Sequence, residues 1–545
     1  MSATLAHAAD APVLDAARKR NILIAMCVSL MAVIASVSIL NVAQQDLAID
    51  FGASQGTVLW IINAYTLALA ALLMPIGAIG DRWGRKPVLV LGLGLFAVAT
   101  VAAAVAQSSE MMILARIVGG AAAAMIMPVT LSVITSSFPA EERGQAIGIW
   151  AGVAGGGGIL GMFVAAFMVD VATWRWAFLL PLLLIGAGLF LSLKSVPNSR
   201  EHSEHRFDIV GSILSLVGIG GVVLGIHEGP EKGWGDPLTL VGLIAGGAAV
   251  LGFVWWELRQ DDPLLDIRTF ANRGLSAGAL TIMLLFAVMF GIFLVLFPFF
   301  QAILGWSALR SAAAMIPMMV VMMPTSTLAP RLVKKIGTRR TMLSGLVFAG
   351  AGLTLLAVRA SVEGGYFSVL PGLLVIGLGM GLSMTPSTEA ITESLPADKQ
   401  GVASALNDTT REVGGAIGIA LLGSIVSSGY ADSFASSPGV AGLPHELVEP
   451  ASEGIGSAYG VVQAGLGSGA LDEPTAARII GAAQHAFVDG WVSAMWVGVA
   501  IVVGAFLWVL LRGPRGKRSD GVLDHELHDE PADTPGDPRD ELVPA

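Results

Sequence analysis

The chain has 545 residues, 54% hydrophobic and only 13% charged, with a formal net charge of −10 and a mean hydropathy of +0.74. Soluble domains carry roughly 25% charged residues, so this composition excludes an ordinary water-soluble globule. The single cysteine, Cys27, excludes disulfides within the chain and any cysteine-based metal centre.

Residues 1–20 form a short N-terminal segment ending in Arg18, Lys19 and Arg20. The apolar run at 21–43 is longer than the roughly 7–15-residue core of a signal peptide, so it reads as a retained first membrane span. A crossing helix needs about 20 mainly apolar residues. Further runs at 57–79, 87–106, 111–135, 145–169 and 174–196 complete a first set of six. Two more follow at 208–228 and 238–258, and a last six lie at 276–301, 310–333, 340–358, 367–391, 404–428 and 487–511. The expectation is an all-α membrane protein of fourteen spans.

With both ends cytoplasmic, the inner side collects Arg18–Arg20, Arg82/Arg85/Lys86, Lys194/Arg200/Arg206, Arg259/Arg268/Arg273, Arg331/Lys334/Lys335/Arg339/Arg340 and Arg512/Arg515/Lys517/Arg518. The outer loops keep Lys232, Arg310, Arg359 and Arg478, with Arg175 at a span edge. That asymmetry follows the positive-inside rule, and an odd number of spans spoils it. Residues 429–486, rich in Gly, Ser, Ala and Pro, are expected as an extracytoplasmic loop with some local helix. The tail at 512–545 holds nine Asp or Glu after Ser519 against Arg539, a composition expected to stay solvated and disordered.

Between the second and third spans, residues 77–86 read Gly-Ala-Ile-Gly-Asp-Arg-Trp-Gly-Arg-Lys. Glycines suit helices that approach closely, and an acid with several bases can pair and unpair at the membrane face. A worn copy at 330–340 follows the tenth span. Aligning Gly337 with Gly84 sets Lys334 opposite Asp81 and Pro330 opposite Gly77, so the copy has lost the acid. The repeat divides the chain into bundles at 21–196 and 276–511, with 208–258 inserted between them.

The loop resembles the signature G-x-L-a-D-R-x-G-R-K of major facilitator transporters, matching at Gly77, Asp81, Arg82, Gly84, Arg85 and Lys86, with Ile79 in place of leucine. Residues 114–120 are similar to that family's fourth-span pattern, in which an arginine, Arg116, precedes glycine. An arginine inside a span must face protein or water, and the resemblance implies that Arg116 lines the cavity; snorkelling to the nearby span end is the competing reading. In the fifth span Gly148, Gly152, Gly157, Gly158 and Gly161 suit close helix packing. They resemble the antiporter motif G-P-x-x-G-G, with Gly158 where proline is usual and Met162 for the last glycine. In the first span, residues 36–43 are similar to the fourteen-span drug–proton antiporter pattern L-D-x-T-I-x-N-V-A-L-P, with Asn41 kept and Ser36 at the acidic position. Residues 404–418 and 386–390 resemble actinobacterial-type members.

The resemblance implies a major facilitator fold and export of a small hydrophobic or amphipathic compound by proton antiport and alternating access. The protein would be a monomer among the lipids of a bacterial inner membrane. Gly77, Asp81, Arg82, Gly84, Arg85, Lys86 and Gly337 would serve gating, with Asp81 near the start of the thirteenth span. Ser36, Asn41, Arg116, Glu389, Asp408 and Arg411 are the candidates for the substrate or proton pathway. By these bounds no span holds a carboxylate near its midplane: Asp46 and Asp50 follow the first span, Glu389 and Glu393 end the twelfth, and Asp408, Arg411 and Glu412 open the thirteenth. Glu389 and Asp408 could carry a proton or simply cap helices at the cytoplasmic face. His227, Glu228 and His485 are too isolated for a metal site, the glycine-rich stretches lie inside spans and so fail the context for nucleotide binding, and the Met-rich stretch at 315–323 suits packing or adaptable ligand contact. No cofactor, nucleic acid or enzymatic role is expected. An exporter dedicated to one lipid or metabolite with altered coupling, and more remotely a non-transporting scaffold or receptor, are the alternatives.

Overall fold

The computed structural model describes residues 15–199 and 207–514; the acidic tail lies outside the described residues. Among these residues there is no strand, and fourteen helices are long and apolar enough to cross a membrane. They are α1 Ala16–Val42, α2 Gln55–Trp83, α3 Arg85–Ala104, α4 Ser109–Ser137, α5 Ala140–Val171, α6 Leu179–Ser195, α7 Ile209–Lys232 and α8 Pro237–Glu257. Then come α9 Arg273–Pro298, α10 Ile316–Ile336, α11 Thr338–Arg359, α12 Gly365–Glu393, α13 Gln400–Ser436 and α14 Glu473–Arg512.

Local chemistry sets many of the starts. Ser54, Ser108, Asp208, Asp236 and Asp472 cap α2, α4, α7, α8 and α14 by accepting backbone N–H groups that the first helical turn cannot otherwise pair. At two related places one glycine both ends a helix and starts the next. Gly84 (φ 107°, ψ 138°) joins α2 to α3, and Gly337 (φ 88°, ψ 157°) joins α10 to α11. Side-chain-bearing residues avoid this backbone region, so the repeat seen in sequence is also a repeat of backbone conformation.

The fold is two six-helix bundles with an inserted pair. One set of buried side chains runs from Ile22 through Trp150 to Val196; another runs mainly from Leu275 through Leu353 to Val509 and reaches across to Met74 and Ile159 of the first bundle. The inserted helices α7 and α8 cross closely at glycine, since a Cβ built on Gly221 would lie 2.8 Å from the Gly246 Cα. Helix α7 also lies over the seam between bundles, where Val223 joins Ala70 of α2 and Ala416 of α13 in one buried cluster.

Two boundaries differ from the sequence expectation. Helix α13 begins at Gln400 and continues to Ser436, while α14 begins at Glu473, so the intervening segment shrinks to 437–472. It carries helices His445–Ser452 and Ile455–Ser468. These helices are seated on the second bundle by buried Ala451, Ile455, Ala458 and Val462. Tyr430 donates to the Ala451 carbonyl at 2.9 Å, and Tyr459 donates to the Ala302 carbonyl at 2.5 Å within the π-helical turn Phe299–Ile303 that ends α9. The apolar residues of the segment are what seat it, and the Gly, Ser and Pro among them conceal its short helices in the sequence.

Candidate functional site at the bundle interface

At the end of the molecule bearing the 77–86 loop, α2 meets the start of α13. The Asp81 carboxylate accepts the Gly401 backbone N–H at 2.8 Å and 2.7 Å and the Val402 N–H at 3.2 Å. Arg85 donates to the same carboxylate at 3.1 Å, one turn further on. Asp81 and Arg85 are both buried. Free N–H groups and the helix dipole make a helix start attractive to an anion, so an acid of one bundle caps a helix of the other. Such close approach requires small residues: a Cβ on Gly77 would lie 2.6 Å from the Ala405 Cβ and 2.7 Å from the Gly401 carbonyl oxygen. Arg82 points outward, while Lys86 donates to the Leu193 carbonyl at 2.9 Å and the Arg85 N–H to the Ser199 carbonyl at 3.0 Å.

The second loop is the pseudo-symmetric partner of the first. Its helix α10 meets the start of α5, where Lys334 donates to the Glu141 carbonyl at 3.3 Å. Here the glycines stand on α5, the helix that faces the loop-bearing α10. A Cβ on Gly148 would lie 2.7 Å from the Ser326 carbonyl oxygen, and one on Gly152 3.5 Å from the Met323 Cα. Ser326 donates to the Gly148 carbonyl at 2.9 Å and shares a 2.8 Å hydrogen bond with Thr385. Higher on α5 the contact passes to α1: Gly157 faces Met31, Gly158 faces Ile34, and a Cβ on Gly161 would lie 2.9 Å from the Ala35 Cα. Thus α5 uses one glycine stripe against the opposite bundle and another within its own.

The middle of the molecule is polar. Arg116 does not snorkel; it is 3% exposed, donates through Nη1 to the Ser36 Oγ at 3.1 Å and carbonyl at 3.4 Å, and lies 4.1 Å from the Tyr65 ring centroid. Across the interface, Asp408 accepts from Asn407 at 3.1 Å and lies 3.7 Å from Arg411. The Arg411 guanidinium sits 4.8 Å from the Trp150 ring and 5.3 Å from Phe286, so it touches both bundles. Because α13 starts early, Glu412 stands twelve residues beyond Gln400, about 18 Å along the axis at the usual rise. Pro396 and the Asp398–Gln400 polar run mark the earlier start in the sequence.

Glu389 is buried elsewhere, beside α5: a Cβ on Gly144 would lie 2.9 Å from its Oε1. With Glu141, Gln145, Arg331 and Lys334 it lines a small crevice at the loop end. Glu389 and Asp408 therefore belong to different sites. The Asn41 side chain lies outside the described ones. Tyr65, Ser326 and Thr385 join these sites without any motif to flag them.

A two-bundle, fourteen-helix membrane fold, hinged by paired charged loops and polar at its centre, defines a transporter architecture. The chain belongs to the Major Facilitator Superfamily, whose family description matches residues 25–419. It is 32% identical over 473 residues to the multidrug efflux pump LfrA of Mycolicibacterium smegmatis, covering 86% of this chain and 91% of that protein. It is 30% identical over 407 residues to the multidrug resistance protein Stp of Mycobacterium tuberculosis, covering 74% and 75%. The crystal structure of the human organic anion transporter MFSD10 has the same fold, with a TM-score of 0.56 at 13% identity over 90% of this chain and 99% of that one.

Proposed function

We propose that the protein exports hydrophobic or amphipathic compounds by alternating access with proton antiport, the loop end facing the cytoplasm. The observation that carries this reading is the Asp81 carboxylate capping α13 across the bundle interface. A contact made of a few hydrogen bonds between two rigid bundles is a latch that forms and releases as a unit. The multidrug names of the similar proteins support a substrate class of small apolar compounds. The basic clusters at the loop end support its cytoplasmic placement.

Glu412 is the better-placed proton carrier, because it stays partly exposed, whereas Asp408 is fully buried with its Oδ1 held by Asn407 beside Arg411. The deciding experiment is uptake of a fluorescent amphiphile into proteoliposomes under an imposed pH gradient. Gradient-driven accumulation is expected in the wild type. Glu412→Gln should abolish accumulation while leaving downhill flux. Accumulation by Glu412→Gln equal to wild type rules out this carrier, and no flux in any orientation rules out transport.

A further inference from the structure

A guanidinium presents five N–H donors in one plane. Arg116 spends its Nη1 on Ser36, and one flat face is covered by Tyr65. Its Nε and Nη2 have no hydrogen-bond acceptor among the described residues, although the group is buried. Those two nitrogens share one edge of the plane and point their N–H groups side by side. That edge fits the two oxygens of a carboxylate or phosphate. Arg411, on the facing bundle, leaves the same Nε and Nη2 edge without an acceptor.

The surrounding acids do not fill the Arg116 edge. Glu412 is near enough to Tyr65 to act on it electrostatically, yet it hydrogen-bonds to neither Tyr65 nor Arg116 among the described contacts. The Tyr65 hydroxyl donates instead to the Val33 carbonyl at 3.4 Å. Asp408 turns its Oδ1 to Asn407 and Arg411 on its own helix and makes no contact with Arg116 among the described hydrogen bonds and ion pairs. A buried cation without an anion is strongly disfavoured, and Ser36, which Arg116 hydrogen-bonds, offers only a neutral hydroxyl and a carbonyl. An aspartate at position 36 would bring its own carboxylate to this guanidinium; serine leaves that place to a ligand.

We propose that the open Nε/Nη2 edge of Arg116 binds an anionic oxygen group, carboxylate or phosphate in kind, on the transported amphiphile. Tyr65 is the floor of the site, and Ser36 holds the guanidinium in register. The site resides in the first bundle, about 10 Å along α4 from Ser109. The proposal rests on the transport reading and fixes the charge of the preferred substrate as negative.

The test is direct binding in neutral phosphatidylcholine nanodiscs, followed by fluorescence anisotropy. Two probes of equal chain length are compared, a dansyl-tagged fatty carboxylate and a dansyl-tagged alkylammonium. The wild type should bind the carboxylate about tenfold or more tightly than the ammonium, as expected for a charge-assisted hydrogen-bonded pair. Arg116→Gln should erase the preference. Ser36→Asp, which keeps the buried cation compensated and so guards against misfolding, should erase it as well. Equal binding by the wild type, an ammonium preference, or a carboxylate preference that survives both variants overturns the proposal. Displacement of the carboxylate by added phosphatidylglycerol assigns the site to a lipid headgroup and also overturns it. Arg116-dependent carboxylate binding without flux in proteoliposomes upholds the site and removes the transport reading. Ammonium flux without such binding does the reverse.

Discussion

Asp81 gathers two backbone N–H groups of α13 and the Arg85 guanidinium on one buried carboxylate. In Asp81→Asn the amide offers N–H groups where the helix start also offers N–H groups, and Arg85 loses this carboxylate. Breaking such a pair costs about 3–5 kcal/mol, which acts on closure of the loop end because the acid bridges two bundles. The expected outcome is a protein that elutes normally in gel filtration but no longer transports amphiphiles in proteoliposomes. Asp81, Gly84 and Arg85 were legible in the sequence because loop chemistry is written contiguously. Glu412 was not, because its meaning depends on where α13 starts, and a shift of four residues moves a side chain by about 6 Å along a helix. Tyr65 carries no sequence signal at all; its role comes from standing under Arg116 in the folded bundle.

Helix α5 shows what one element can and cannot announce. Small residues four apart marked it as a close-packing helix, but its neighbours are set by the tertiary fold, which puts Gly148 and Gly152 on α10 and Gly161 on α1. Substituting Gly148→Val places branched carbons against the Ser326 backbone, so it should block the bundle contact and stop transport in the proteoliposome assay. Gly481 on α14 is the control, since a Cβ there meets nothing within 4 Å. Gly481→Ala should leave transport unchanged and raise stability by about 0.4–1 kcal/mol, read as a higher melting temperature. The 437–472 segment was the least legible stretch. Its helices are held by contacts distant in sequence, such as Tyr459 with Ala302, and are short, at 8 and 14 residues.

For the molecule as a whole, the latch at Asp81 and the glycine seam of α5 with α10 lie on two sides of one interface, so the bundles can part at the loop end only if both release. The α2–α13 side is covered by α7, whereas α5 meets α10 directly. A covalent tie between α5 and α10 therefore tests the motion itself. A Cβ on Gly152 would lie 3.7 Å from the Ser326 Cβ, within the roughly 3.5–4.5 Å that a disulfide spans. Because Cys27 is the only cysteine in the chain, Cys27→Ser provides a clean background for the pair Gly152→Cys and Ser326→Cys. Oxidised, the double variant should bind its amphiphile but not carry it across; reduced, it should recover flux relative to the oxidised form, since a side chain at Gly152 meets backbone no closer than ordinary contact. Full transport in the oxidised protein would show that the two bundles need not separate along this seam, and that the Asp81 latch alone bounds the moving surface.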